Sequence, residues 1–172
     1  AIYGNFANRV LSLIKKYYDG KIPKVESKNR VDELVLEDVK VLKEEIESNL
    51  DSFKFREATK NLMNIARVGN KYLAETEPWK IKESDPLRVE QILHTSFIII
   101  SYLAIVSEPF LPFTSVKLKN MIGLNDYSWD DLDKIFGTLN YNFTIVDIVI
   151  LFKRIEDSEI EYQIDKLKKS AS

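Results

Sequence analysis

A row of polar side chains near the start of the chain has the types and spacing that nucleic-acid recognition needs. Asn5, Arg9, Ser12 and Lys16 are separated by four, three and four residues, which places them on one face of a helix. An amide beside a guanidinium suits the Watson–Crick edge of an unpaired base, because both groups are planar hydrogen-bonding groups. Lys15 and Lys16 are candidates for phosphate contacts further along the helix. The other interpretation of the row is an ordinary solvated helix face.

A tryptophan held behind a proline is the second candidate feature. Pro78 and Trp79 directly follow the third predicted helix, and Lys80 comes next as a candidate phosphate contact. A tryptophan fixed at a helix end can stack an unpaired base, at about 1–3 kcal/mol per base. The competing interpretation is that Trp79 fills the end of a helix bundle. Three aspartates follow Trp129 within four residues and repel phosphate, so we interpret Trp129 as structural.

The composition argues against covalent and metal-dependent chemistry. The 172 residues include no cysteine and one histidine, which excludes disulfides, thiolate zinc sites and a thiol nucleophile. His94 lies in an apolar segment, and we interpret it as a core or near-core residue. No glycine-rich phosphate loop is present, and no carboxylate pair stands out as a general acid and base. We therefore expect a binding module without catalytic residues and without a bound metal.

The net charge of −2 conceals a polarised distribution. Residues 1–25 carry five bases and one acid, whereas residues 26–53 carry four bases and nine acids. The near-neutral total argues against a nucleic-acid partner, but the basic first helix favours one. On charge alone, an ordinary mixed surface explains the pattern about as well.

Helical periodicity predicts an all-α fold, a bundle of about five helices. The predicted helices cover residues 1–18, 32–53, 54–77, 84–107 and 114–121. Gly69 lies inside the third helix at a cost of about 1 kcal/mol relative to alanine, and close helix packing is the usual reason for such a glycine. The fourth helix is apolar on nearly all sides but too short and too polar for a membrane span. We expect it to be the central helix of the bundle.

The C-terminal part of the chain differs in character. We expect residues 1–124 to form the bundle and residues 125–172 to form an irregular extension that closes it. Within the extension, the sequence pattern predicts one more short helix at Trp129–Phe136. Phe143–Leu151 is rich in β-branched residues, which is typical of extended chain, and residues 156–169 have the pattern of a charged helix.

In combination and in this order, three blocks of sequence resemble the anticodon-binding domain of methionyl-tRNA synthetases, which are class I aminoacyl-tRNA synthetases. The blocks are Gly4–Val10 with Lys16–Gly20; Phe55, Glu57, Ala58, Asn70–Tyr72 and Pro78–Lys80; and Leu151–Glu156. The similarity spans nearly the whole chain. It implies a helix bundle that binds the CAU anticodon of methionine tRNAs, with a final segment that packs back towards the catalytic part.

The resemblance also implies a role for each candidate residue. Asn5 and Arg9 match an Asn and an Arg that lie four residues apart on the family's first helix, and Trp79 matches its Trp after the third helix. Trp79 would stack on the wobble cytosine, while Asn5 and Arg9 would contact base edges. Pro78 would help to set the orientation of the tryptophan.

The family's catalytic Rossmann domain, with its HIGH and KMSKS signatures, and its zinc-binding knuckle are not found in this sequence. The resemblance therefore implies an excised domain that needs no cofactor, from a methionine–tRNA ligase that uses ATP and methionine. The expected partners are methionine tRNA and the catalytic domain of the parent chain, with no membrane and in the cytoplasm. Two alternatives stay open: a helical protein-interaction module with an acidic partner, and the anticodon-binding domain of a sister class I synthetase.

Overall fold

The computed structural model describes residues 2–137, 144–145, 147–153 and 155–170, and most of this part of the chain is helical. A 3-10 helix at Trp129–Asp131 leads directly into a short α-helix at Leu132–Gly137. The all-α bundle predicted from the sequence is confirmed. The α-helices are α1 (Ile2–Tyr18), α2 (Arg30–Asp51), α3 (Phe55–Thr76), α4 (Pro78–Ile81), α5 (Pro86–Val106), α6 (Pro112–Ile122), α7 (Leu132–Gly137) and α8 (Asp157–Ser170).

Capping side chains and prolines set where the helices begin. Asn29 caps α2, since its side chain accepts a hydrogen bond from the helix backbone while Asp32 bonds back to the Asn29 amide. This capping box starts α2 two residues before the predicted position. Asp85 caps α5 by accepting the Arg88 amide at 3.0 Å. α6 begins at Pro112, earlier than predicted, because proline fits the first turn of a helix.

α5 is the central helix, and it packs against α1, α2, α3, α4, α6 and α7. It is the one helix of the described chain that is long and apolar enough to cross a membrane, yet 89% of its most apolar stretch is buried inside the protein. A bundle's core helix has the same length and composition. His94 lies within it, 5% exposed, and its Nδ1 bonds to the Pro23 carbonyl at 2.8 Å. The predictions for α5 and His94 are both confirmed.

Phe6 and Gly69 bring α1 and α3 into close contact. A Cβ at Gly69 would lie 2.4–2.7 Å from three carbons of the buried Phe6 ring, closer than any real contact. The Asn70 side chain also donates to the Ile2 carbonyl at 3.0 Å. The prediction that close packing explains Gly69 is therefore confirmed.

A buried ion pair joins α2, α3 and α5. The fully buried Asp32 accepts two hydrogen bonds from Arg88, at 2.6 and 2.8 Å, and another from the Tyr72 hydroxyl. Burial by itself would raise the pKa of Asp32. The bonds from Arg88, Tyr72 and the Asn29 amide outweigh it and hold the pKa of Asp32 below the ordinary value of an aspartate.

The first part of the extension packs onto the bundle. Leu132 and Ile135 are buried in the core. Trp129 is half-buried against that core, and its Nε1 donates to the carboxylate of Glu47 on α2. Its interpretation as a structural residue is confirmed.

The predicted extended segment forms a single antiparallel bridge, between Thr144 and Lys21, in which the Ile145 amide donates to the Gly20 carbonyl at 2.8 Å. Its described residues form no longer strand, and Phe143 and Val146 lie outside the described part. The charged C-terminal helix is confirmed as α8, whose residues are all exposed. The division of the chain at residue 124 stays a prediction.

We expect Gly69→Ala to lower the free energy of unfolding by about 1–3 kcal/mol, because the added methyl would overlap the Phe6 ring. Denaturant unfolding of the variant measures this. Adding Phe6→Leu to Gly69→Ala is expected to recover part of the loss, whereas losses that simply add would show that the two residues do not share this space.

We expect Asp32→Asn to lower the free energy of unfolding by about 3 kcal/mol near neutral pH, because it leaves the Arg88 charge without its partner. Since the folded-state pKa of Asp32 is depressed, its contribution is complete above the unfolded-state pKa and is lost as the pH falls through the folded-state pKa. Unfolding measured as a function of pH should thus show a smaller acid loss for Asp32→Asn than for the wild type. The exposed Asp38→Asn on α2 is the control, and equal acid losses in all three proteins would contradict the role of Asp32.

Candidate nucleic-acid interface

A left-handed residue turns the chain between α3 and α4 and sets the direction of Trp79. Glu77 has φ 40° and ψ 56°, and its amide closes α3 by donating to the Leu73 carbonyl at 3.1 Å. Positive φ is uncommon for a residue other than glycine. The buried Pro78 follows at the first position of α4, where its fixed φ suits a helix. Trp79 therefore lies in a one-turn helix whose entry is conformationally restricted.

Arg9 and Trp79 are in direct contact, although they lie 70 residues apart in the sequence. The guanidinium carbon of Arg9 is 5.3 Å from the centroid of the Trp79 ring, within the range of a cation–π interaction. Trp79 remains 39% exposed, and Arg9 is half-buried. Trp79 is thus a surface residue rather than a filler of the bundle end.

The two side chains line an open groove of about 400 Å³. Asn8, Ser12 and Leu13 complete the lining, so the groove combines an aromatic face and an apolar wall with amide, hydroxyl and guanidinium groups. None of these five residues is acidic. Such a surface can stack a planar ring and hydrogen-bond to its edge. Ser12 already belongs to the polar row seen in the sequence, three residues after Arg9, and Asn8 lies four residues before Ser12. Helical spacing from Ser12 was therefore the signal that could have added Asn8 to the candidate site residues.

Asn5 does not line the groove but a neighbouring cavity, which shares Asn8 with it. It is exposed, one helical turn before Arg9, and lines a second cavity of about 510 Å³ that α1 forms with residues 148–153. At the same crossing, the ring of Phe152 comes within 3.0 Å of the Cβ position of Gly4. The structure therefore brings Arg9 and Trp79 together and leaves Asn5 beside the C-terminal segment.

The three candidate lysines differ in their surroundings. Lys15 and Lys16 are exposed and form no salt bridge with a carboxylate of the described residues. Lys80 pairs with Glu77 at 2.9 Å, but exposed pairs of this kind contribute little, so Lys80 can exchange this partner for another anion. No group of three or more acidic or histidine side chains in the described chain is placed to hold a metal ion.

A family model described as the anticodon-binding domain of methionyl tRNA ligase matches residues 22–170. The chain belongs to this family. The match contains Trp79, whereas α1 with Asn5 and Arg9 precedes it. The resemblance identified from the sequence is confirmed.

Individual relatives of this anticodon-binding domain agree with the family match. A methionine–tRNA ligase of Phocaeicola vulgatus is 45% identical over 167 residues, which are 97% of this chain and 24% of that protein. The ligase of Porphyromonas gingivalis is 44% identical over 169 residues, 98% of this chain and 25% of that protein. The chain thus spans about a quarter of the length of these relatives.

A solved structure shows the same fold. The apo form of Mycobacterium tuberculosis methionyl-tRNA synthetase superposes with a TM-score of 0.82 at 22% sequence identity, covering 90% of this chain and 32% of that chain. The helix bundle is therefore shared with that enzyme at low sequence identity.

We expect the two tryptophans of this anticodon-binding domain to differ in their effect on stability. Trp79→Ala removes an exposed ring and one cation–π contact, so the free energy of unfolding should fall by less than about 1 kcal/mol. Trp129→Ala removes a half-buried ring and its bond to Glu47, so the loss should be about 2–3 kcal/mol. Thermal and denaturant unfolding compare the variants, and a larger loss for Trp79→Ala would place that ring in the core.

Proposed function

We propose that this chain binds the anticodon loop of tRNA and reads the CAU anticodon of methionine tRNAs. The observation that carries the proposal is the contact between Arg9 and Trp79 in a groove without carboxylates. Membership of the anticodon-binding family supports it. A stacking surface and a base-edge donor from separate elements are already adjacent before RNA arrives, which reduces the entropy lost on binding.

In this proposal the wobble cytosine stacks on Trp79, and the guanidinium of Arg9 hydrogen-bonds to a base edge. The buried Pro78 holds the tryptophan in place. Asn5 contacts a base from the outer end of α1, since it lies one turn from Arg9 and is exposed. Lys15 and Lys16 bind phosphates, which orient the loop without reading its sequence.

We propose further that the chain is one domain of a cytoplasmic methionine–tRNA ligase, whose whole chain attaches methionine to tRNA with ATP. The relatives bear that name, and a Mycobacterium tuberculosis methionyl-tRNA synthetase has been solved with methionyl-adenylate. The catalytic domain of the same protein would be the partner of the C-terminal segment. The anticodon-binding domain itself would hold neither ATP nor methionine.

The test is a binding titration with a hairpin that carries the anticodon loop. The wild-type chain should bind a CAU hairpin more tightly than one altered at the first anticodon base. Trp79→Ala should weaken CAU binding by about 1–3 kcal/mol through lost stacking, with the fold unchanged by circular dichroism. Arg9→Gln should reduce both the base discrimination and the salt dependence of binding.

Three outcomes would contradict the proposal in different ways. Equal affinity for the CAU and altered hairpins would show that this chain does not itself read the first anticodon base. Absence of RNA binding at low salt would favour a protein-interaction module. An equal loss of binding in Trp129→Phe, which keeps an aromatic ring against the core but removes the bond to Glu47, would show that Trp79 has no special role.

A further inference from the structure

A second cluster of aromatic and cationic side chains lies at the C-terminal end of α1. The ammonium groups of Lys16 and Lys82 are 5.7 and 5.6 Å from the centroid of the Tyr17 ring. Lys82 is also 5.3 Å from the ring centroid of Tyr18. Lys82 follows α4 directly, so the cluster joins the same two elements that bring Arg9 and Trp79 together.

The two lysines lack the partner that their charges favour. Neither forms a salt bridge with a carboxylate in the part of the chain that the structure describes, whereas nearby Lys80 does. An anion that approaches the Tyr17 ring would be attracted by both ammonium groups. Burial, then the nearby Glu90 carboxylate, raises the pKa of Tyr18 to about 12. The Glu90 carboxylate near Tyr18 would repel an anion. We therefore expect an anion to approach the cluster from the side of Lys16 and Tyr17.

The cluster lies in line with the groove. Lys16 is seven residues after Arg9 on α1, which is about 10 Å along the helix axis and on the same face. Lys82 is three residues after Trp79. A strand of RNA whose base stacks on Trp79 can therefore pass its backbone over Lys16 and Lys82.

We propose that Lys16, Tyr17 and Lys82 form a second contact for the anticodon arm, in which the two ammonium groups bind backbone phosphates beside the tyrosine ring. This inference rests on the proposed function, since it assumes that RNA occupies the adjoining groove. Lys16 was a phosphate candidate from the sequence, but Tyr17 and Lys82 were not. The contact carries no sequence information, and its role is to position the loop relative to Trp79.

The experiment measures how the affinity of the 172-residue chain for the CAU hairpin depends on salt. Lys82→Gln and Lys16→Gln should each lower the slope of log K against log salt by about 0.7 per lost contact. The loss of affinity relative to the wild type should therefore be about threefold larger at 0.05 M than at 0.2 M salt. Discrimination against the altered first base should stay at the wild-type level. Lys82→Arg should keep the wild-type slope, because it keeps the charge.

Lys60→Gln is the matched control, because it removes an exposed lysine of α3 that lies 16 residues, about 24 Å, before the end of that helix at Thr76. Slopes for Lys82→Gln and Lys16→Gln equal to that of Lys60→Gln, with wild-type base discrimination, would overturn the second contact alone. A lower melting temperature of Lys82→Gln without a change in slope would show that the lysine only holds α4 on α1. If Lys82→Gln and Lys16→Gln lost binding to polyglutamate but kept binding to the hairpin, the ligand of the cluster would be an acidic protein and not RNA. Absence of base discrimination by the wild type would overturn the proposed function instead.

Discussion

The close contact between Phe6 and Gly69 determines how α1 lies on α3, and the geometry of the groove depends on it. The Phe6 ring occupies the volume that any side chain at position 69 would need. This lets the two helix backbones approach closely and fixes their register. Arg9 is one turn beyond Phe6 on α1, and Trp79 follows the end of α3. A shift of either helix would separate the guanidinium from the indole.

The buried ion pair supports the same geometry from the other side. Tyr72 and Arg88 both bond to the carboxylate of Asp32, and the chain between them contains α4 and Trp79. That segment is thus a loop whose two ends are fixed at one buried group, so fewer conformations are open to it. The left-handed Glu77 and the buried Pro78 restrict it further. The position of Trp79 on a one-turn helix is in this way restrained from both ends of the segment.

Local sequence signals account for much of the fold, and the parts that were not predicted depend on contacts distant in sequence. The long helices α1, α2 and α3 follow from apolar periodicity, and α5 follows from its start signal at Pro86 and its nearly continuous apolar run. Gly123 marks the end of α6. α4 was not predicted, because one turn has no periodicity and a proline after a helix usually signals its end. Likewise, no residue type marks the left-handed turn, since Glu77 stands where glycine is the usual choice.

The candidate site shows the same division between local and distant information. Helical spacing was enough to place Arg9 and Lys16 on one face. Only the three-dimensional structure shows that Lys82 joins them and that Asn5 borders another cavity.

The net charge was a poor guide to the partner for a related reason. At physiological salt, an exposed charge acts over roughly 8 Å, so an RNA strand at the groove interacts with Arg9 and the nearby lysines. The acidic residues that bring the total to −2 are concentrated on α2. The charge that matters for binding is therefore a property of this surface and cannot be read from the whole chain.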